Sequence, residues 1–149
     1  MKTLAPIFFR GMLKLTTVML ATVLGLVLWH DLLAVPWLIY PDMPLAVVNG
    51  TVKAGDTLQV VMSRCNTKAE VKPYTVLREL RQFGETTQIK LPSRQTDLKP
   101  GCYREVIRLT QIPPKTPPGV YAMYGYSLIE GRLFPRSVSW NTEFFEVVQ

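Results

Sequence analysis

The sequence contains one histidine, His30, and that scarcity removes most of the usual catalytic arrangements. Ser-His-Asp and Cys-His mechanisms need an imidazole beside the nucleophile. His30 instead sits next to Asp31 at the end of an apolar N-terminal stretch, where polar residues capping a membrane span are the plain reading. Cysteine is nearly as scarce. Cys65 and Cys102 are the whole supply, too few for an ordinary zinc site. The chain also lacks an Asp-x-Asp-x-Asp calcium loop, a Gly-x-Gly-x-x-Gly turn and a Gly-Lys-Ser/Thr phosphate cradle. No cofactor and no metal is therefore expected, and the expectation for activity is a chain that is not an enzyme.

Clustered basic charge is missing too. Lysine and arginine outnumber the acids 17 to 11, a formal net charge of +6, yet they stand singly along the chain. Nucleic-acid surfaces gather such residues with aromatics between them, so nucleic acid is not an expected partner.

Charge of either sign is absent from residues 15–29, and the rest of the chain is organised around that run. Lys2, Arg10 and Lys14 precede it, and no further Lys or Arg occurs until Lys53. Within an expected span of 11–30, a helix from Gly11 to Trp29, with Lys14 snorkelling to the headgroups, reaches roughly 28 Å, close to the thickness of a bilayer core. The one-sided basic flank places the N-terminus in the cytoplasm and the C-terminal part in the periplasm or outside the cell. A cleaved signal peptide has the same basic head and apolar middle. Leu32-Leu33-Ala34 puts a large residue at the outer small position of a cleavage site, and Val23-Leu24-Gly25 lies inside the run. The uncleaved anchor is preferred. Residues 1–14 then form a basic cytoplasmic head. Residues 31–43, with Pro36, Trp37 and Tyr40, form a membrane-proximal linker whose aromatics suit the interface.

From residue 44 to 149 short runs rich in Val, Thr, Tyr and Phe alternate with Gly, Pro, Asn and Asp, and helical periodicity is nowhere sustained. That pattern predicts an all-β sandwich or barrel. Asn49-Gly50 reads as a hairpin turn, and with Thr51 it also matches the glycosylation sequon. Leu58, Val60 and Met62 alternate inward. Residues 74–81 suit a strand better than a short helix, and residues 92–99 read as a polar loop. Residues 119–129 form the strongest strand, with a return over 132–141. Val138 and Trp140 share one parity, Phe145 and Val147 the other, so a bulge near 142–144 is required. In an exported domain, Cys65 and Cys102 are expected to form one disulfide, contributing roughly 4 kcal/mol in the chain-entropy model.

Ile112-Pro-Pro-Lys-Thr-Pro-Pro-Gly-Val-Tyr121 leads a Pro/Gly crossover into a strand with an early tyrosine. This resembles the tyrosine corner of immunoglobulin-like sandwiches, and the resemblance implies an immunoglobulin-like antiparallel β-sandwich of about seven or eight strands with Tyr121 as its structural corner. The sequence departs from true immunoglobulin domains at the second cysteine position, where Met123 stands. A basic head, one span and a lone domain of this kind together resemble small membrane proteins of bacteriophages and bacteria. Within the expected domain, Tyr124 and Tyr126, with Arg132 and Arg136 from the returning strand, form the candidate binding face, since Tyr and Arg are favoured at interfaces. The expected partners are a membrane and a protein, the protein met at the cell envelope. The alternative is a secreted carbohydrate-binding or enzyme-accessory sandwich released by signal cleavage.

Overall fold

The structure, a computed structural model, describes residues 4–131 and 134–149. The chain separates into one unit ending at Val35 and a second beginning at Pro36.

The first unit is a single helix, α1, Leu4–Leu33. It is longer than the expected 11–30 at both ends, and most of the presumed head is helical. Pro6 is tolerated because it falls in the first turn, where its missing N–H has no intrahelical acceptor to lose. At the other end the Ala34 amide donates to the His30 carbonyl, and Pro36 follows closely. Within α1, Met12–His30 is long and apolar enough to cross a membrane, and a signal sequence shares those properties. Its threonine hydroxyls bond back into the helix, Thr17 to the Leu13 carbonyl and Thr22 to the Val18 carbonyl, each at 2.8 Å.

The second unit is built of strands. In chain order they are β1 Leu38–Ile39, β2 Ala46–Val47, β3 Thr51–Lys53, β4 Thr57–Asn66 and β5 Lys72–Gln82, then β6 Gln88–Leu98, β7 Gly101–Gln111, β8 Gly119–Ile129, β9 Arg136–Asn141 and β10 Phe145–Val148. The first sheet is centred on β4. Strand β7 pairs along its whole length on one side, while β2 and β1 lie end to end on the other. The second sheet runs β3-β10-β8-β5-β6, with β9 also on β8. Pairing between strands is antiparallel except for β3 against β10, and an isolated parallel bridge joins Leu45 to Thr142. The inward residues of both sheets, among them Leu58, Val60, Leu80, Tyr121 and Met123, form one core at 0% exposure. Two sheets enclosing one core fit an all-β sandwich.

Four expectations are corrected by the pairing. The 31–43 linker is the largest correction. Trp37, Leu38 and Tyr40 are buried in the β unit, at 5%, 0% and 5% exposure, and β1 pairs with the end of β4. Residue types that favour a membrane interface favour a protein core equally, so composition alone does not separate the two. Second, Asn49-Gly50 is not a hairpin turn. It carries the chain from β2 in the first sheet to β3 in the second, and the Asn49 side chain bonds the Gln59 amide at 3.0 Å as a strand neighbour would. Third, residues 92–98 are the second half of β6 rather than a loop. Leu98 apart, none of them is buried, so this stretch of an edge strand shows no apolar alternation, and Pro92 fits there beside the register shift between Val76 and Arg78. Fourth, among the described residues the returning strand runs from Arg136, past Pro135, while residues 132–133 of the expected return lie outside them. The parity break is present: β9 and β10 lie in succession along β8, with Thr142 to Phe144 between them. There the Thr142 amide bonds the Met123 carbonyl, and the Glu143 amide bonds the Leu45 carbonyl.

Candidate functional site: the outer face of the second sheet

Strand β8 alternates along its length except at Ala122, which is buried between Tyr121 and Met123. Tyr121, Met123, Ser127 and Ile129 point into the core, so Val120, Tyr124, Tyr126 and Leu128 present the opposite face. Register with β5 sets Tyr126 opposite Leu77 and Tyr124 opposite Glu79. Arg81, on the same parity of β5, lies with its guanidinium carbon 4.3 Å from the centre of the Tyr124 ring. One of its nitrogens also donates to the Tyr126 hydroxyl at 3.3 Å, and Glu79 forms an ion pair with it. The hydrogen bond to Glu79, more than its charge, holds Arg81 above its ordinary pKa range. Two tyrosines, an arginine and a glutamate are thereby held in one arrangement. Phe83 and Phe144 continue the face, edge to face at 5.4 Å and 69% and 58% exposed. Exposed phenylalanines in contact, beside tyrosine and arginine, have the composition of an interface core.

The candidate residues are only partly brought together. Tyr124 and Tyr126 share the face. Arg132 lies outside the described residues. Arg136 pairs with Ile129, so it takes the parity of Val138 and Trp140 and not that of the tyrosines. Arg81, Phe83 and Phe144 take the place that the arginines of the returning strand were expected to fill. The parity of Glu79, Arg81 and Phe83 was the available signal, but only the β5–β8 register puts it beside the tyrosines.

Cys65 and Cys102 form a disulfide between directly opposed residues of β4 and β7, inside the first sheet and with Cα atoms 4.0 Å apart. Tyr121 is fully buried; its hydroxyl donates to the Pro117 carbonyl at 2.9 Å, and the Gln82 amide oxygen lies 3.2 Å away. Tyr121→Phe keeps the ring and leaves that carbonyl without its donor. A loss of about 1 kcal/mol is expected, read as a lower denaturant midpoint at unchanged slope. Among the described residues, no three His, Cys, Asp or Glu side chains gather to hold a metal ion.

No protein-family model and no curated protein matches the sequence. Solved structures match at low similarity. An alkylpurine DNA glycosylase from Pseudomonas fluorescens, bound to DNA with an abasic-site analogue, is 14% identical with TM-score 0.42, over 78% of this chain and 32% of that one. A β-glucosidase from Erythrobacter marinus is 13% identical with TM-score 0.43, over 74% and 15%. The sporulation control protein Spo0M of Bacillus subtilis is 9% identical with TM-score 0.41, over 77% and 51%. The chain thus spans about half or less of the proteins it matches. Two of these proteins are enzymes by name, and the expectation that the chain is not an enzyme is withdrawn. At these TM-scores the likeness gives this chain neither their chemistry nor their ligands.

Proposed function

We propose that the chain is a single-pass envelope protein whose immunoglobulin-like domain binds a protein partner outside the cytoplasm. The observation that carries the reading is the Met12–His30 span. Its large apolar side chains are exposed along the helix, Leu20 at 73% and Leu24 at 59%. Its threonine hydroxyls are satisfied internally, as hydrocarbon requires. Basic residues on the N-terminal side alone support a cytoplasmic N-terminus, and the disulfide fits an oxidising compartment. Support for the immunoglobulin-like class comes from the strand order and from the Tyr121 hydroxyl on a carbonyl four residues upstream. The binding surface is the face of Tyr124, Tyr126, Arg81, Phe83 and Phe144.

The test is expression of the full chain in a bacterium, followed by carbonate wash, intact mass and protease treatment from outside the inner membrane. The expected result is an unshortened, carbonate-resistant protein whose β unit is reached only from the periplasmic side. A mature mass lacking the first thirty or so residues would instead establish a secreted domain. Photo-crosslinking from position 126 in the native host tests the face. It is expected to give a discrete adduct that Phe83→Ser with Phe144→Ser abolishes; an adduct indifferent to both substitutions would remove the face from the proposal.

A further inference from the structure

Strand β6 pairs only with β5, and β7 only with β4, among the described residues, so the two sheets are not closed between them. A cavity of about 340 Å³ opens in that part of the β unit. Four arginines line it, each from a different strand: Arg64 on β4, Arg78 on β5, Arg94 on β6 and Arg108 on β7. Tyr40, Tyr74 and Trp140 provide aromatic lining.

Charge in this cavity is unbalanced. Among the described residues, Glu105 is the one acid in ion-pair contact with any of the four, 2.5 Å from Arg64. Arg64 also donates to the Tyr74 hydroxyl at 2.9 Å. Arg78 donates to two neutral acceptors, the carbonyls of Leu109 at 2.6 Å and Pro92 at 2.9 Å, bridging the two edge strands without losing its charge. The Nε–H groups of Arg64 and Arg78 are both buried with no acceptor. Burial, and then the neighbouring Arg94 charge, draws Arg78 below its ordinary pKa range. A strap between β6 and β7 accounts for Arg78. It does not account for Arg94 and Arg108 standing at the same cavity, where like charges repel.

We propose that this cavity binds a small organic oxyanion. Its carboxylate or phosphate head is held by the guanidiniums, and a short aromatic or apolar body lies against Tyr40, Tyr74 and Trp140. Guanidiniums match both oxyanions in bidentate geometry. The volume sits at the lower end of small-molecule sites, which bury apolar surface around a few convergent polar groups. The inference is independent of the anchor and of the tyrosine face, since it concerns only side chains within the β unit.

The experiment titrates the full chain in neutral detergent, at low ionic strength, with phenyl phosphate, benzoate, inorganic phosphate and phenol. Saturable binding is expected for phenyl phosphate or benzoate, weakened by added salt, with phenol at least about tenfold weaker. Arg94→Gln with Arg108→Gln, both exposed, is expected to weaken binding by about tenfold or more at an unchanged melting temperature. Lys53→Gln, on the opposite edge strand of the second sheet, is expected to leave it unchanged. The proposal is overturned by the absence of saturable binding for all three anions, by phenol binding as tightly as phenyl phosphate, or by affinity unaltered in the double arginine variant.

Discussion

Trp37→Ala is expected to destabilise the β unit by about 3–5 kcal/mol, the cost of truncating a buried tryptophan. Trp37 is 5% exposed and meets Tyr74 edge-on at 6.2 Å. Its carbonyl accepts the Thr67 amide at 2.9 Å, which ties the entry of the domain to the segment after β4. Leu38, next to it, is completely buried. A domain begun at residue 44 would lose Trp37, Leu38 and Tyr40 together, and is expected to fold poorly or not at all. Trp37→Phe is the informative companion. The indole N–H is buried without an acceptor, so losing it removes a desolvation penalty while most of the apolar contact stays. A loss well below that of the alanine variant is expected. Val35, 76% exposed and outside the β unit, is the control, and Val35→Ala is expected within about 0.5 kcal/mol of the parent. Denaturant unfolding of the full chain, followed by near-ultraviolet circular dichroism, measures all three. A Trp37→Ala midpoint equal to the parent's would return residues 36–43 to the status of a linker.

Gly125→Val is expected to cost about 3 kcal/mol or more through overpacking. Gly125 is directly opposite Trp140 in the β8–β9 register. A Cβ on it would lie 2.0 Å from Cζ2 and 2.1 Å from Cε2 of the indole. The ring has nowhere to retreat: it is 2% exposed, its Nε1–H donates to the Ser127 hydroxyl at 3.3 Å, and it packs against Tyr40 at 6.2 Å. The Tyr40 hydroxyl shares Ser127 at 2.7 Å, and burial, then Tyr74, pushes that phenol well above its ordinary pKa, so it stays neutral and bonded. Gly125 is thus needed for the flat approach of the indole to the β8 backbone. The same substitution made in a Trp140→Leu background is expected to cost less, and the difference is the coupling energy of the pair. Additive losses in the double variant would show that the strain lies elsewhere. Trp140 and Tyr40 also line the arginine cavity, so the Gly125→Val protein is expected to bind oxyanions more weakly if it folds.

Much of the scaffold was legible because it rests on local periodicity. The uncharged run 15–29 could be read as a span, and the alternation of Leu58, Val60 and Met62 gave the buried face of β4. Tyr121 against Tyr124 and Tyr126 gave the two faces of β8, and the clash of parity between Trp140 and Phe145 gave the break between β9 and β10. Each of these depends on residues within about fifteen positions of one another and on a geometry with a fixed period of two or of about 3.6.

The rest required knowing which segments pair. Trp37 to Tyr40 could belong to a membrane interface or a core, and the pairing of Leu38 with Asn66 decides it. Asn49-Gly50 has the chemistry of a hairpin and the position of a crossover between sheets. Residues 92–98 of the edge strand β6 carry no apolar alternation because, Leu98 apart, none of them is buried. Arg64, Arg78, Arg94 and Arg108 look like scattered surface charge when read along the chain. They converge only because β4 pairs with β7, β5 with β6, and the two sheets stack. Sequence alone determined an apolar N-terminal segment and a β-rich remainder, since hydrophobic period is a local property. Tertiary structure decided where the domain begins and which charges share a cavity, since strand pairing and sheet stacking join residues far apart in the chain.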